Sequence, residues 1–231
     1  MDAEAQPPQI GTHEGLNIQY GACRCAAPGW LNFDASPSVW LERLPVIGRF
    51  VRVNTERFPE EILFGDIITG LPVEANSAKA VYASHVLEHL AYNDCLKALR
   101  NTLAILKPNG VFRLIVPDLE ARARVYLSSR EENCDAANDF CRSTSFGVSD
   151  RPKGLIRQLR NVLGNANHLW MWDERSMAAA LRGAGFVGIR RCQLGDAEDR
   201  DFDVVESPQR FFDDDWKIVE LALEARKPSV G

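Results

Sequence analysis

Ionisable side chains that could carry out proton transfer are concentrated in two short segments of this chain. Ala80–Ser84 is an apolar run that predicts a buried strand, and ligands bind at the carboxyl ends of such strands in an open parallel sheet. His85, Glu88 and His89 lie directly after it, and His168 lies in a second segment beside aromatic residues that could stack on a flat acceptor. Because histidine changes its charge near neutral pH, each segment could supply a general base.

The candidates for this base differ in rank. His168 is the leading candidate, and the alternative is a histidine whose hydrogen bonds only anchor the surrounding segment. His89 comes second, and its alternative is a packing residue at the start of a helix. Glu88 is the third catalytic candidate, because a carboxylate could orient a histidine or bind a substrate hydroxyl. The fourth histidine of the chain, His13, lies near the N-terminus and away from both segments.

The elements that must position these residues begin with two short strands. Leu16–Gly21 has an apolar start, and in Trp30–Asp34 apolar and polar residues alternate, so both segments predict strands. Only eight residues connect them, whereas a standard crossover between parallel strands needs at least about 10–12. The residue pattern alone therefore argues against a parallel pairing of these two strands.

The rest of the chain alternates between strand and helix patterns. Asn93 or Asp94 predicts the N-cap of a helix whose leucines recur on one face, and Lys107–Gly110 predicts the turn that ends it. Asp173 and Gly185 predict the two ends of another helix. Further predicted elements are a short helix within Ser36–Phe50 and strands at Ile62–Ile68, Val111–Val116, Phe186–Ile189 and Trp216–Ala225. This alternation predicts an α/β fold with a mostly parallel sheet.

Residues 119–171 are too many for a simple connection, and they predict a helical lid inserted at the ligand end of the sheet. Within it lies a basic stripe of four side chains, Arg151, Lys153, Arg157 and Arg160. A solvated helix face is the default interpretation of this stripe, and recognition of a phosphate or carboxylate on the acceptor is the alternative. Residues 1–14 are acidic and proline-rich and predict a flexible tail, so we expect the folded domain to span residues 15–231.

Composition and charge disfavour several classes of protein. The chain has 231 residues, 45% of them hydrophobic, and a net charge of −5, which predicts one large domain with no general attraction to nucleic acid or anionic membranes. No apolar run approaches the roughly 20 residues that span a bilayer, and the N-terminus lacks the basic start of a secretory signal. We therefore expect a cytoplasmic protein with neither a nucleic-acid nor a membrane partner.

The residues that most often bind metals have no metal-site spacing in this chain. Six cysteines include one close pair, Cys23 and Cys25, but no second Cys or His pair completes a site, so reduced thiols are expected. The acidic stretch Asp196–Glu206 lacks the glycine of a calcium loop and predicts a solvated loop. The sequence analysis thus predicts no metal.

Several motifs, in matching order and spacing, resemble those of class I S-adenosylmethionine-dependent methyltransferases. The first strand together with Gly29–Asp34 resembles the first motif of a methyltransferase type 11-like subgroup of predicted glycan and small-molecule O-methyltransferases, whose members share an abbreviated first crossover. The other matching segments are Gly65–Ile67, Gly70–Pro72, His85–Leu90, Leu106–Gly110, Val116–Leu119 and Leu221–Pro228. The resemblance implies a Rossmann-like, mostly parallel, seven-stranded sheet with helices on both faces. It also resolves the conflict over the short connection.

The resemblance further implies which residues bind the cofactor, S-adenosylmethionine. Asp34 would accept hydrogen bonds from the two ribose hydroxyls, with a helix cap or turn carboxylate as the alternative. Asp66, followed by Ile67, would accept from the adenine amino group, with a turn residue as the alternative. The backbone around Ser84 and His85 would face the methionine part of the cofactor.

The chain departs from the family at the glycine-rich turn after the first strand. Gly21 would permit close approach of the backbone to the ligand, but Gln19 and Tyr20 stand where the family has the first two residues of its glycine triplet. The side chain of Gln19 would either narrow the approach to the methionine carboxylate or hydrogen-bond to it.

The resemblance implies methyl transfer to an oxygen of a small molecule or carbohydrate, with a histidine removing the proton. Related O-methyltransferases often keep a catalytic histidine at the position of His89. A nitrogen or carboxylate acceptor stays open, as does a homodimer. The alternative of a different class is a degenerate methyltransferase that binds the cofactor as a non-catalytic scaffold, marked by Gln19 and Tyr20. An oxidoreductase is disfavoured, because no G-x-G-x-x-G follows the first strand.

Overall fold

The computed structural model describes residues 15–43, 57–147 and 167–229. The predicted N-terminal tail and the basic stripe of the predicted lid lie outside these residues. The strands are β1 (Leu16–Tyr20), β2 (Leu31–Asp34), β3 (Ile62–Phe64), β4 (Ala78–Ser84), β5 (Leu106–Val116), β6 (Val187–Arg191), β7 (Phe212–Asp213), β8 (Ile218–Val219) and β9 (Leu221–Arg226). The α-helices are α1 (Pro37–Glu42), α2 (Tyr92–Ile105), α3 (Leu119–Ser129), α4 (Ala136–Ser143), α5 (Glu174–Ala184) and α6 (Pro208–Phe211). Two 3-10 helices span Leu87–His89 and Arg200–Val204.

Seven of these strands form one sheet in the order β3-β2-β1-β4-β5-β9-β6. The neighbours from β3 to β5 pair in parallel, whereas β9 runs antiparallel to both β5 and β6. The predicted α/β fold with a mostly parallel seven-stranded sheet is confirmed. The carboxyl ends of β1 to β5 therefore meet at one edge of the sheet, where the residues singled out in the sequence lie.

The first crossover joins two parallel strands without a helix. β1 and β2 pair in parallel, with Gln19 opposite Asn32, as the resemblance implied and the loop length alone did not. The buried Asn32 side chain binds the connecting loop: its Oδ1 accepts from the backbone N–H of Ala27, and its Nδ2 donates to the carbonyls of Ala27 and Trp30. In a crossover helix these backbone groups would hydrogen-bond to one another. Here the amide side chain of Asn32 provides their hydrogen bonds instead.

Three local predictions are wrong. Lys107–Gly110 does not separate the helix from the strand but is an irregularity inside β5 with Asn109 at a φ of 63°, where the pairing with β4 moves from Ala78–Leu106 to Ala80–Val111. The expected strand from Trp216 to Ala225 is two strands, β8 and β9, in different sheets. Helix α2 begins after Ala91, which has no side-chain cap, not at Asn93 or Asp94.

Helix α5 confirms its predicted ends. The Asp173 side chain accepts from the Ser176 backbone N–H, and the Ser176 side chain bonds the Asp173 backbone in return, which is a capping box. Gly185 ends the helix in the left-handed conformation that glycine adopts without steric cost. Local residue chemistry therefore defines both ends of this helix.

The two faces of the sheet are packed in different ways. One face is apolar and is covered by α2 and α5, which bury Leu99, Met177 and Leu181 against it. The other face packs against the segment from Ala197 to Phe211 and buries several polar and charged groups. Elements on both faces confirm the predicted layering.

Arg113 is the centre of the charged network on the polar face. It lies on β5, is 1% exposed, and donates to Glu206 at 2.7 Å, to Glu224 at 2.7 Å and to Asp196 at 3.0 Å. Asp196 and Glu206 belong to the acidic stretch that was expected to be a solvated loop. That expectation is wrong for Glu206, which is buried against this guanidinium, whereas Asp196 stays exposed while it pairs with Arg113.

We expect Arg113→Met to lower the free energy of unfolding by about 3–5 kcal/mol, because it leaves Glu206 buried without its guanidinium partner and Glu224 with only the more exposed Arg190 and Arg226. Arg190→Met is the matched control. Arg190 binds the same Asp196 and Glu224 but is 40% exposed, so its removal should cost no more than about 1 kcal/mol. Urea unfolding followed by circular dichroism measures both, and equal losses would contradict a role for burial.

Candidate active site

The turn after β4 carries the first group of candidate catalytic residues. His85 adopts a left-handed backbone conformation, with φ of 54°, and the 3-10 helix Leu87–His89 follows directly. Glu88 is 1% exposed, and neither of its carboxylate oxygens has a hydrogen-bond donor among the described residues. The nearest nitrogens are Nδ1 of His85 at 3.4 Å and Nε2 of His89 at 3.9 Å. A buried carboxylate is thus placed between two imidazole rings.

His168 reaches this turn from the far end of the predicted lid. The backbone N–H groups of Leu169 and Trp170 both donate to the carbonyl of Glu88, at 2.8 and 3.1 Å. Further along, the Leu119 N–H donates to the carbonyl of Trp172 at 2.9 Å. These hydrogen bonds hold the segment around His168 against the ends of β4 and β5.

The three predicted catalytic residues come together. One ligand-type atom each from Glu88, His89 and His168 lies within 4.8 Å of the other two, and the two imidazole rings meet edge to face with centroids 5.0 Å apart. We call these three residues the Glu88 cluster. His85 is adjacent to Glu88 but is not part of this group.

Each histidine of the site uses one ring nitrogen to bind a backbone carbonyl. Nδ1 of His168 lies 2.8 Å from the Thr144 oxygen, and Nδ1 of His89 lies 3.2 Å from the Asn167 oxygen. Because a carbonyl only accepts, each of these Nδ1 atoms carries the proton, which leaves Nε2 with a lone pair in the neutral ring.

The surroundings move the pKa values of His168 and His85 in opposite directions. Burial lowers the pKa of His168 below its usual range, so its neutral form is favoured. Burial also disfavours charge on His85, but the Glu88 carboxylate and the carbonyl of Arg210, 3.0 Å from Nε2, outweigh it and raise the pKa of His85. The charged form of His85 is therefore stabilised relative to that of a free imidazole.

A cavity of about 450 Å³ opens beside these histidines. His85 and His168 form part of its wall, together with Pro117 just after β5. The rest of the lining is strongly polar and includes Arg122, Arg142, Asp213, Asp214, Asp215, Trp216 and Glu220. Its position at the carboxyl ends of β4 and β5 is where parallel sheets bind ligands.

The sequence analysis missed most of this polar lining. Arg122 is buried on α3 and donates to both carboxylate oxygens of Glu220 and to Asp213. In the sequence it lies within the predicted lid and was not singled out as a site residue. The run Asp213–Trp216, three carboxylates followed by an aromatic residue, was the available signal, but nothing local placed it at the same edge as His168.

The acidic residues at the neighbouring strand ends have unused hydrogen-bonding capacity. Asp34 ends β2, is 7% exposed, and accepts from the backbone N–H groups of Cys23 and Ser36, one on each oxygen. Burial raises the pKa of Asp34. Asp66 accepts from the Ile68 N–H through one oxygen. Carboxylate oxygens have two lone pairs each, so both residues can accept further hydrogen bonds.

The side chains at the end of β1 lie on opposite faces of the sheet. Tyr20 is buried in the apolar core, and its hydroxyl hydrogen-bonds to Thr102, so only its backbone can contact a cofactor. Gln19 is buried on the other face, and its Oε1 has no donor in the described part of the chain. Oγ of Ser84, at the end of β4, is likewise buried without a partner there. Ile67 is a core residue.

Gly21 brings the turn after β4 against the end of β1. Its φ is 67°, and a Cβ atom added to it would lie 2.0 Å from Cγ2 of Val86. The space on the Cβ side of Gly21 is therefore filled by Val86. Contact between the Gly21 backbone and the cofactor stays a prediction.

Comparison with known proteins decides the family. The family model described as methyltransferase domain matches residues 29–190, a range that includes β2 to β5 and the whole Glu88 cluster. The chain belongs to this methyltransferase family. It is an S-adenosylmethionine-dependent methyltransferase with S-adenosylmethionine as its cofactor. No curated protein sequence matches this methyltransferase.

Solved structures share the fold of this methyltransferase at low sequence identity. A SAM-dependent methyltransferase of Methanosarcina mazei has a TM-score of 0.52 and 13% identity, over 95% of each chain. A possible histamine N-methyltransferase of Thermotoga maritima has a TM-score of 0.47 and 17% identity, over 93% of this chain and 82% of its own. At these identities the comparison concerns architecture, and the acceptor must be argued from the site.

We expect Gly21→Ala to destabilise this methyltransferase by about 2–4 kcal/mol, because it adds overlap with Val86 to the strain of a left-handed alanine. Gly29→Ala is the matched control: Gly29 also has a positive φ, of 78°, but a Cβ there meets nothing within 4 Å. It should cost only about 1–2 kcal/mol. Urea unfolding compares the two, and Val86→Ala in the Gly21→Ala background should restore part of the difference.

Proposed function

We propose that this methyltransferase transfers a methyl group to a hydroxyl of a small polar acceptor, with a carbohydrate as the preferred class, and that the hydroxyl is activated at the Glu88 cluster. The observation that carries the proposal is the placement of His168. It belongs to the Glu88 cluster and also lines the 450 Å³ cavity. An acceptor in that cavity therefore lies beside a group suited to removing its proton.

The strand ends next to this cavity contain groups that fit the cofactor. Asp34 has lone pairs for the two ribose hydroxyls, and Asp66 has an oxygen for the adenine amino group. The buried Oγ of Ser84 has no partner among the described residues, so a polar group of the cofactor would satisfy it. When bound, S-adenosylmethionine supplies a methyl group on a positively charged sulfur, so the acceptor oxygen is the more reactive without its proton.

His168 is the histidine best placed to act on the acceptor. Its Nδ1–H is held by the Thr144 carbonyl, so the ring orientation is determined and Nε2 is the nitrogen with a lone pair. His89 belongs to the same cluster but does not line the cavity, and His85 lines the cavity but has Nδ1 beside Glu88 and Nε2 beside the Arg210 carbonyl. The sequence-based expectation of a histidine general base therefore rests on His168 ahead of His89.

The lining of the cavity supports a polyhydroxylated acceptor. Trp216 offers an aromatic face against which a sugar ring can pack. Asp213, Asp214 and Asp215 offer carboxylate oxygens that accept from hydroxyl groups, and Arg142 can donate. A lining with many hydrogen-bonding groups disfavours a purely apolar acceptor, because its binding would leave them unpaired.

We expect Asp34→Asn to weaken the binding of S-adenosylhomocysteine by about 10- to 100-fold, the effect of losing a hydrogen bond to a charged acceptor. Isothermal titration calorimetry measures the affinity. The matched control is Asp94→Asn, which removes an exposed carboxylate paired with Lys97 on α2 and should leave the affinity unchanged. Binding by Asp34→Asn as tight as by the unmodified protein would limit Asp34 to holding the Cys23 and Ser36 backbone.

We expect His168→Ala to lower turnover by at least about 100-fold, the usual minimum for loss of a proton-transfer group, while S-adenosylhomocysteine binding stays within about twofold. Turnover is measured as S-adenosylhomocysteine released with a panel of sugars, sugar derivatives and phenols. Gln209→Ala, which removes another polar side chain of the cavity wall, should change KM more than kcat. If the unmodified protein binds the cofactor but methylates no hydroxyl compound, the O-methylation proposal is wrong and the non-catalytic alternative gains support.

A further inference from the structure

We propose that the Glu88 cluster binds a divalent metal cation, with Glu88, His89 and His168 as its protein ligands. Two imidazoles and one carboxylate are a donor set that first-row divalent cations such as zinc, iron and manganese accept. The sequence analysis predicted no metal, because two of the ligands are adjacent in the chain and the third is 79 residues further on, which is no recognised metal-site spacing.

The carboxylate of Glu88 lacks the hydrogen-bond partners that a buried charge needs. Its carboxylate is buried, and neither oxygen has a hydrogen-bond donor among the described residues. A buried ionised carboxylate without a partner is strongly unfavourable, and proteins almost always pair such a group or bind it to a metal. The unsatisfied oxygens of Glu88 therefore indicate a cationic partner that the protein chain itself does not fully provide.

The two imidazoles are oriented in the way that metal-binding histidines are. His89 and His168 each donate Nδ1–H to a backbone carbonyl, of Asn167 and Thr144 respectively. This is the outer hydrogen bond that metal-binding histidines almost always make, because it determines the tautomer and directs the other nitrogen to the ion. Nε2 of His89 lies on the Glu88 side, 3.9 Å from Oε1.

The ligand atoms of Glu88, His89 and His168 are close to one another. The ligand atoms of the three residues all lie within 4.8 Å of one another. Two ligands bound at about 2.1 Å in tetrahedral geometry are about 3.4 Å apart, so the widest pair would have to close by up to about 1.4 Å when the ion binds. The hydrogen bonds from Leu169 and Trp170 to the Glu88 carbonyl hold the two parts of the site together.

The competing explanation for Glu88 is an ion pair with His85. Nδ1 of His85 lies 3.4 Å from Oε1 of Glu88, and the attraction raises the pKa of His85. That pair involves one oxygen and leaves the convergence of His89 and His168 on the same carboxylate without a role. A cation bound by all three residues of the cluster would satisfy the Glu88 carboxylate and would also explain why His89 and His168 converge on it.

The cation site deepens the proposed function and rests on it for its catalytic meaning. Three protein ligands leave coordination positions open, as in catalytic metal sites, and His168 brings the site to the wall of the cavity. A hydroxyl bound at an open position would lose its proton more easily, and that proton would pass to solvent water in the cavity. Nε2 of His168 would then serve as a ligand and not as the base itself.

The test is titration of the metal-free full-length protein with Mn²⁺ alone, followed by electron paramagnetic resonance of the free ion. Mn²⁺ is chosen because it prefers nitrogen and oxygen ligands to the exposed thiols of Cys23, Cys134 and Cys141. We expect a single site, with affinity lowered at least about tenfold in Glu88→Gln and in His168→Asn. The control Glu120→Gln removes an exposed carboxylate on α3 and should bind as the unmodified protein does.

The outcomes separate this inference from the proposed function. No Mn²⁺ binding by a protein that still binds S-adenosylhomocysteine would overturn the cation site and leave O-methylation standing. Unchanged binding in folded Glu88→Gln would also overturn it, because the ion would then bind elsewhere. Binding lost in both cluster variants supports the site even if no acceptor is methylated. Turnover lost on chelation and restored by Mn²⁺ supports its catalytic role.

Discussion

The burial of one carboxylate, that of Glu88, governs the arrangement of the candidate active site. Removing an ionised group from water is costly unless other charges or dipoles replace the lost solvation. Around Glu88 the protein arranges imidazoles from two parts of the chain, and the backbone carbonyl of the same residue anchors the segment that carries His168. Glu88 therefore positions the far end of the predicted lid through its backbone, while its side chain requires the partners that this segment carries.

The same principle operates on the polar face of the sheet. Arg113 and Arg122 are both buried, and each is surrounded by carboxylates that come from β9 and the segments before it. Such networks contribute little net stability compared with apolar packing, but removing one member is expensive because its partners stay buried. They therefore specify where the C-terminal part of the chain must lie. In doing so they place Asp213 and Glu220 in the wall of the cavity.

At the end of the sheet where the cofactor is expected, the backbones of β1, β2 and β4 and their loops pack closely together. Val86 fills the space beside Gly21, which joins the turn after β4 to the end of β1, and the Asn32 amide replaces a helix in the first crossover. These two contacts bring the carboxyl ends of β1, β2 and β4 together with few residues. The polar groups at these ends therefore lie at the same edge of the sheet as the histidines.

The sequence by itself determined those features that depend on neighbouring residues. Strand alternation, the Asp173 cap and the terminating Gly185 follow from local chemistry, residue type alone marks His168, His89 and Glu88 as candidates, and the fold class follows from the order of the elements. Resemblance to a family was needed for the parallel first crossover, because loop length alone indicated the opposite. Local signals also placed Lys107–Gly110 as a turn between a helix and a strand, whereas it interrupts β5 where the pairing with β4 shifts.

Only the tertiary structure decided what the candidate residues contact. The acidic stretch Asp196–Glu206 contains partners of Arg113 that are 83 and 93 residues distant along the chain, and no local pattern encodes such pairings. The same holds for His168, whose approach to Glu88 depends on backbone hydrogen bonds across the sheet edge. Burial and the direction of a lone pair are properties of the packed molecule. The residue types with their chemical capacity could therefore be predicted from the sequence, whereas their shared site required the fold.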